Sequence, residues 1–192
     1  MSECTETLKH LQPSTFDIDA AAAALDAMEH STRLATIREL DKKAQHNLFR
    51  ECKGRAVGIE AIVPTDQPDF TEVIHHGKNS LPVFSHFQKR FARNPDNPDE
   101  LLGYNHQVLA WLTGPGYFVA YAADGEVAID YTRTPQSTLD SWPAIQPNER
   151  GVSNLVYAHM IDYLRAVSAH VTIGRAFRKG KWTENYFLLC RE

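Results

Sequence analysis

The sequence has few cysteines and no long apolar run. Its three cysteines, Cys4, Cys52 and Cys190, are widely spaced and odd in number, so they do not form a disulfide framework and predict a reducing, cytoplasmic location. No stretch approaches the roughly 18 consecutive apolar residues of a membrane-spanning helix, and residues 1–14 lack the apolar core of a secretion signal. We therefore expect a cytoplasmic protein with no membrane partner.

Neither sign of charge dominates the 192 residues. Twenty Lys and Arg against 24 Asp and Glu leave a formal net charge of −4, which argues against a nucleic-acid partner. A hydrophobic fraction of 43%, with 3 Trp, 7 Tyr and 9 Phe, supplies enough apolar mass for a sizeable core and excludes a disordered or fibrous chain. We expect a flexible N-terminal tail over 1–15 and a single domain over 16–192.

Two nucleotide-binding motifs begin in this sequence and then fail. A dinucleotide fingerprint starting at Gly114 has Val119 where its last glycine belongs, and a strand rather than a helix follows. A phosphate loop over 174–181 is followed by Trp182 where Ser or Thr should stand. The paired His and Cys spacings of common metal sites are also missing. We expect no metal site, and the cofactor stays unknown.

Residues 16–52 predict a long helical region with a break near 30–32. Over 34–49, apolar residues recur every three or four positions, as on one face of an amphipathic helix: Leu34, Ile37, Leu40, Ala44 and Leu48. This face either packs on a sheet or forms the seam of a homodimer. A second long helix is predicted after Ser153, with its apolar face continuing to Val167.

Two hairpins give the clearest strand signals. Strand-like runs at 117–122 and 126–132 flank Asp124-Gly125, and runs at 170–178 and 181–191 flank Lys179-Gly180. Because an isolated hairpin is only marginally stable in water, we expect both in one antiparallel sheet. A further strand is predicted over 56–63.

The segment 80–92 fits two interpretations. Ser80 and Pro82 could start a helix, with phenylalanines three and four residues apart on one face. An alternating strand also fits, with Lys89 as the misfit, through Val83, Ser85, Phe87 and Phe91. We favour the helix. Together these elements predict an α+β fold, with an antiparallel sheet of about five strands and two long helices packed on one face.

Polar side chains concentrate between Glu72 and His106, where histidine and tyrosine could transfer protons near neutral pH. The predicted catalytic residues are His75, His86, Tyr104 and His106. The predicted ligand-binding residues are Lys78, Arg90, Trp142 and Arg175. Trp142 is chosen because it lies in a long irregular connector, 133–151, that we expect to cover or border a pocket. Arg175 is chosen because basic and aromatic residues alternate in its hairpin.

These features predict a cytoplasmic small-molecule-binding domain, with acid–base catalysis by histidine and tyrosine as a candidate activity. The alternative is a non-catalytic interaction or regulatory module that forms a homodimer through helix 34–49. The sequence names neither the ligand nor the reaction.

Overall fold

The computed structural model describes residues 3–11, 16–81, 85–106, 114–148, 154 and 157–192. Eight antiparallel strands form a closed barrel in which each strand pairs with its neighbours along the chain and the last strand pairs with the first. The strands are β1 (Val73–Asn79), β2 (His86–Arg93), β3 (Glu100–His106), β4 (Tyr117–Ala123), β5 (Glu126–Asp130), β6 (Met160–Ala166), β7 (Val171–Arg178) and β8 (Lys181–Arg191).

The predicted α+β fold, with about five strands and two long helices, is therefore wrong. The favoured helix over 80–92 is wrong because β2 occupies its second half, and β6 occupies much of the second predicted long helix. The ambiguity has a physical cause, since side chains four residues apart share a face in a helix and in a strand. Phe87 and Phe91 in β2, and Met160 and Leu164 in β6, have this spacing.

The helices are α1 (Glu3–His10), α2 (Ile18–Ala27), α3 (His30–Arg38), α4 (Lys42–Glu51) and α5 (Ile59–Ile62). None of those in the described ranges is long and apolar enough to cross a membrane. The predicted region 16–52 is interrupted at Met28, whose backbone is extended, and again before α4. There Asp41 accepts a hydrogen bond from the Ala44 N–H at 2.8 Å and caps α4. The strand predicted over 56–63 is wrong, because α5 lies within it.

Helices α1 to α4 pack on the outside of the barrel. Ile37, Leu40 and Leu48 are buried together with outward-facing residues of β7 and β8. The apolar face over 34–49 thus contacts strands of its own chain, and a dimer seam there would require these side chains to leave that cluster. Within the predicted tail 1–15, α1 contacts α2 and α3, and Leu11 is buried in the same cluster.

Both predicted hairpins are confirmed, and so is their common sheet. Asp124 and Gly125 connect β4 to β5, and Lys179 and Gly180 connect β7 to β8. All four turn residues have positive φ, between 49° and 82°, as two-residue hairpin turns require when both central residues are left-handed. The two hairpins are joined through β6.

Inside the barrel, three glycines make room for three phenylalanine rings on adjacent strands. The opposed pairs are Gly77 with Phe87, Gly103 with Phe118, and Gly174 with Phe187. A Cβ atom on any of these glycines would overlap the ring of its partner. The glycines thus allow each ring to lie across the neighbouring strand and into the barrel interior.

We expect Gly103→Ala to lower the free energy of unfolding by about 1–3 kcal/mol through overpacking. The added Cβ would overlap the Phe118 ring and lie 2.6 Å from the backbone oxygen of Arg90, which cannot rotate away. Urea unfolding of the single variants and of Gly103→Ala/Phe118→Leu measures the coupling. Gly103→Ala should lower the free energy of unfolding by less when residue 118 is leucine. If the effects of the two substitutions on this free energy simply add, the proposed overlap between residue 103 and the Phe118 ring is wrong.

Candidate functional site

A cavity of about 140 Å³ lies inside the barrel, at the end where β1 finishes and β2 begins. Phe87, Phe187 and Met160 contribute apolar wall, and Leu81, which is 36% exposed, lies where the cavity reaches the surface. Several polar side chains also line it. Asn79 and Asn185 are among them, and four others form one cluster: Lys89, Asn105, Tyr131 and Asp162. At the other end of the barrel, α5 packs against interior side chains that are mainly apolar.

Strand alternation and register bring the four polar side chains together. Lys89 lies directly opposite Asn105 on β3, and Asp162 lies opposite Ile129 on β5. Tyr131 comes two residues after Ile129, so its side chain points to the same side of the strand. All four side chains are therefore directed into the barrel, although they come from four separate parts of the chain.

The amine of Lys89 makes three hydrogen bonds in this cluster. Its Nζ donates to Asn105 Oδ1 at 3.0 Å, to Asp162 Oδ2 at 3.2 Å and to the Tyr131 hydroxyl. A protonated amine has three donors, so each has an acceptor. Asn105 also donates from Nδ2 to the Tyr131 hydroxyl at 3.0 Å and to the Gly116 carbonyl at 3.2 Å. The network fixes the amine beside one carboxyl group and one phenol.

Aromatic rings surround the Lys89 amine. Its Nζ lies 4.9–5.6 Å from the ring centroids of Phe87, Phe118, Tyr131 and Phe187. Three of these rings are the ones that oppose interior glycines. The rings remove water from around the amine, while their electron-rich faces favour its charged form.

Burial shifts the pKa values of Lys89, Asp162 and Tyr131 in the directions that favour their neutral forms. Burial lowers the pKa of Lys89, although the Asp162 carboxylate opposes this shift. Burial raises the pKa of Asp162 against the opposing effect of Lys89. Burial also raises the pKa of Tyr131 well above its usual value, so the phenol keeps its proton at neutral pH. Both shifts reduce the cost of moving a proton from Lys89 to Asp162, and this transfer leaves the net charge of the cluster unchanged.

Four of the predicted site residues lie together, but on the outside of the barrel. The Tyr104 ring lies 5.0 Å from the ring of Trp142 and 6.3 Å from that of His106. Glu72 accepts hydrogen bonds from Trp142 Nε1 at 2.6 Å and from Arg90 Nη1 at 2.7 Å. These contacts hold Trp142 against the outer wall.

The connector predicted to cover a pocket also packs on this outer wall where the structure describes it. Leu139 and Trp142 are buried with Tyr104 and Tyr117, and the Tyr117 hydroxyl donates to the Pro143 carbonyl at 2.5 Å. Residues 149–151 lie outside the described ranges. The described connector therefore supports strands β3 and β4 from outside.

The other four predicted site residues are dispersed. His75 is buried in the barrel near α5, where its Nε2 donates to the Ile62 carbonyl at 2.9 Å. Lys78 and His86 are opposed on the outer face of β1 and β2. Arg175 pairs with Glu184 at 2.7 Å. The eight residues thus occupy four places, and their catalytic or binding roles stay predictions.

A second cavity, of about 350 Å³, lies beside α5 and β1. Three buried polar atoms on residues that line it have no hydrogen-bond partner among the described residues: Arg55 Nε, His75 Nδ1 and Thr172 Oγ1. We place the candidate site in the barrel because an amine, a carboxyl group and a phenol contact one another there, as proton transfer requires.

The comparisons with known proteins do not assign the barrel site. No protein-family model, curated protein or solved structure matches the chain. Its function is therefore argued from the shape and chemistry of the cavity.

Proposed function

We propose that the protein binds a small neutral molecule inside the barrel. The apolar part of this molecule lies against Phe87, Phe187 and Met160. One oxygen atom accepts a hydrogen bond from the Tyr131 hydroxyl, in place of the bond that this hydroxyl donates to Asn105 Oδ1. The observation that carries the proposal is the buried contact of Lys89 with Asp162 at the wall of a mainly apolar cavity. Small-molecule sites typically combine apolar walls with a few polar groups in fixed positions.

The cavity volume sets the size of the ligand. A cavity of about 150 Å³ accommodates benzene, and the barrel cavity has about 140 Å³. A molecule with about six to eight non-hydrogen atoms therefore fits, and a longer one would extend past Leu81. Barrels of eight strands are wide enough to hold one small ligand.

The charges of the cluster favour a neutral ligand. When both are ionised, Lys89 and Asp162 balance each other, and their side chains are only 3% and 5% exposed. A ligand carboxylate would add a second negative charge close to Asp162, where little water screens the repulsion. A carbonyl or hydroxyl oxygen can accept a hydrogen bond from the cluster without this cost.

Benzyl alcohol and benzoate test this preference, since they have similar size and differ in charge. We expect benzyl alcohol to bind with a Kd of about 0.1–1 mM, a plausible affinity for so small a ligand. Benzoate should bind at least about tenfold more weakly, which corresponds to ~1.4 kcal/mol. Titration followed by NMR or calorimetry measures both constants.

Two variants locate the binding. Met160→Trp should fill part of the cavity and weaken benzyl alcohol binding, while Tyr104→Phe on the outer wall should leave it unchanged. Equal affinities for the alcohol and benzoate, or loss of binding only in the Tyr104 variant, would refute the proposed site.

We also propose a cytoplasmic location. Cys4, Cys52 and Cys190 are free thiols, as is usual in reducing compartments. Burial raises the pKa of Cys52 to about 12 and also raises that of Cys190, so both thiols are poor nucleophiles at neutral pH.

A further inference from the structure

One lysine differs from all the other lysines in its surroundings. Lys89 is 2% exposed and lines the barrel cavity, whereas every other lysine is exposed or partly exposed. Its Nζ lies 3.2 Å from a carboxylate oxygen of Asp162 and contacts the Tyr131 hydroxyl. A desolvated amine next to a proton acceptor and a proton donor is the arrangement that makes lysine a nucleophile.

We infer that Lys89 captures the carbonyl group of a small aldehyde or ketone as an imine, with Asp162 and Tyr131 assisting. This inference rests on the proposed function, and it names carbonyl compounds as the substrate class of the same cavity. The proposed binding of neutral molecules does not depend on it, because an alcohol can occupy the cavity without reacting.

The first half of the reaction forms a carbon–nitrogen bond. Asp162 takes one proton from the Lys89 ammonium group, which leaves a neutral amine with a free electron pair. This pair attacks the carbonyl carbon while the Tyr131 hydroxyl donates a hydrogen bond to the carbonyl oxygen. The attacking nitrogen then loses a proton and the oxygen gains one, so that the product is a neutral carbinolamine.

The second half expels water. The protonated carboxyl group of Asp162 returns its proton to the hydroxyl group of the carbinolamine, the carbon–oxygen bond breaks, and one water molecule leaves. The nitrogen electron pair forms the double bond, which gives a positively charged iminium beside the regenerated Asp162 carboxylate. The sum is ammonium plus carbonyl compound giving iminium plus water, with no oxidant, reductant or net proton required.

The surroundings of Lys89 suit both halves. Burial lowers the pKa of Lys89 and raises that of Asp162, so the neutral amine is more accessible than in a lysine in water. The iminium carries the same single charge as the ammonium it replaces, so the pairing with Asp162 and the four aromatic rings is retained. The apolar wall favours departure of the released water.

Reductive trapping tests the inference. The folded protein is incubated with benzaldehyde and sodium cyanoborohydride at pH 7, digested, and analysed by peptide mass spectrometry. We expect one main adduct, on Lys89, heavier by the mass of the aldehyde less one oxygen atom. Its yield should exceed that on Lys78 by at least about tenfold, because an aldehyde held in the cavity lies next to the Lys89 amine, whereas Lys78 is on the outer face of β1.

Three variants separate capture at Lys89 from general lysine reactivity. Lys89→Arg keeps a positive charge but cannot form this imine, so the main adduct should disappear. Lys78→Arg, on the outer face of β1, should leave the Lys89 adduct unchanged. Asp162→Asn should slow adduct formation by about a hundredfold, as loss of a proton-transfer group commonly does. Benzyl alcohol should compete with the aldehyde.

The outcomes distinguish the inference from the proposed function. If benzyl alcohol binds in the cavity but Lys89 is labelled no more than Lys78 or the N-terminal amine, carbonyl capture is overturned and neutral-ligand binding stands. If benzyl alcohol does not bind and Lys89 is not preferentially labelled, both fail. The comparison of Lys89 with Lys78 is made within the unaltered protein, so it decides the matter even if Lys89→Arg does not fold.

Discussion

Replacing Lys89 with methionine should lower the free energy of unfolding by about 3–5 kcal/mol at pH 7, because Asp162 would remain as a buried charge without its positively charged partner. The two side chains are 3% and 5% exposed, and their charged atoms are 3.2 Å apart. Tyr131 and Asn105 would still bond to each other, so the cost is assigned mainly to the carboxylate.

A double variant separates the loss of the pair from the loss of packing. In Lys89→Met/Asp162→Val neither charge remains, and most of the stability should return, to within about 1–2 kcal/mol of the parent. Lys78→Met, on the outer face of β1, should change the stability by less than about 0.5 kcal/mol. Urea unfolding monitored by circular dichroism measures all three. A double variant as unstable as Lys89→Met would show that Asp162 is not the source of the loss.

The same lysine explains why the barrel site was not predicted from the sequence. Between Phe87 and Phe91, Lys89 interrupts an apolar alternation and so weakens the strand interpretation. A polar residue on the inner face of a strand is stable when other strands supply its hydrogen bonds. The partners of Lys89 lie 16, 42 and 73 residues away along the chain. A local sequence pattern contains no information about contacts over such separations. The one sequence signal for the site is Lys89 itself, a charged residue at a position where the alternation calls for an apolar one.

The two hairpins could be predicted because their turns depend on local sequence, unlike the contacts of Lys89. A two-residue turn with positive φ depends on residues that are adjacent in sequence, and Asp124-Gly125 and Lys179-Gly180 supply it. Closure of the barrel depends on pairing β1 with β8, for example His76 with Cys190. Turn residues and alternation do not specify that pairing, and the sequence predicts only an antiparallel sheet of about five strands.

Lowering the pH from 7 to 4 should reduce the stability of the fold by about 3 kcal/mol through His75 alone. The pKa of His75 is lowered from 6.5 to about 4, mainly by burial; the hydrogen bond to the Ile62 carbonyl opposes this shift, and the positive charges of Arg191 and His76 contribute to it. The Nε2 atom donates to the Ile62 carbonyl at 2.9 Å, whereas Nδ1 has no hydrogen-bond partner among the described residues. Protonation would therefore place an unpaired N–H and a charge beside the Phe91 ring, 4.9 Å away.

The sign of this stability change follows from the number of protons bound by the folded and the unfolded protein. Between pH 6.5 and 4 the unfolded chain protonates residue 75 and the folded protein does not, so acid favours unfolding over this range. His75→Gln can still donate an amide hydrogen to the Ile62 carbonyl, but it does not titrate. Between pH 7 and 4 its free energy of unfolding should therefore fall by about 3 kcal/mol less than that of the parent protein. The exposed His86→Gln is the matched control. Burial also lowers the pKa of His86, but at an exposed position, so this variant should follow the parent protein more closely than His75→Gln does. Urea unfolding at intervals from pH 7 to 4 compares the three proteins. Because the remaining histidines are common to the parent and His75→Gln, parallel pH curves for these two proteins would show that His75 does not produce the acid sensitivity.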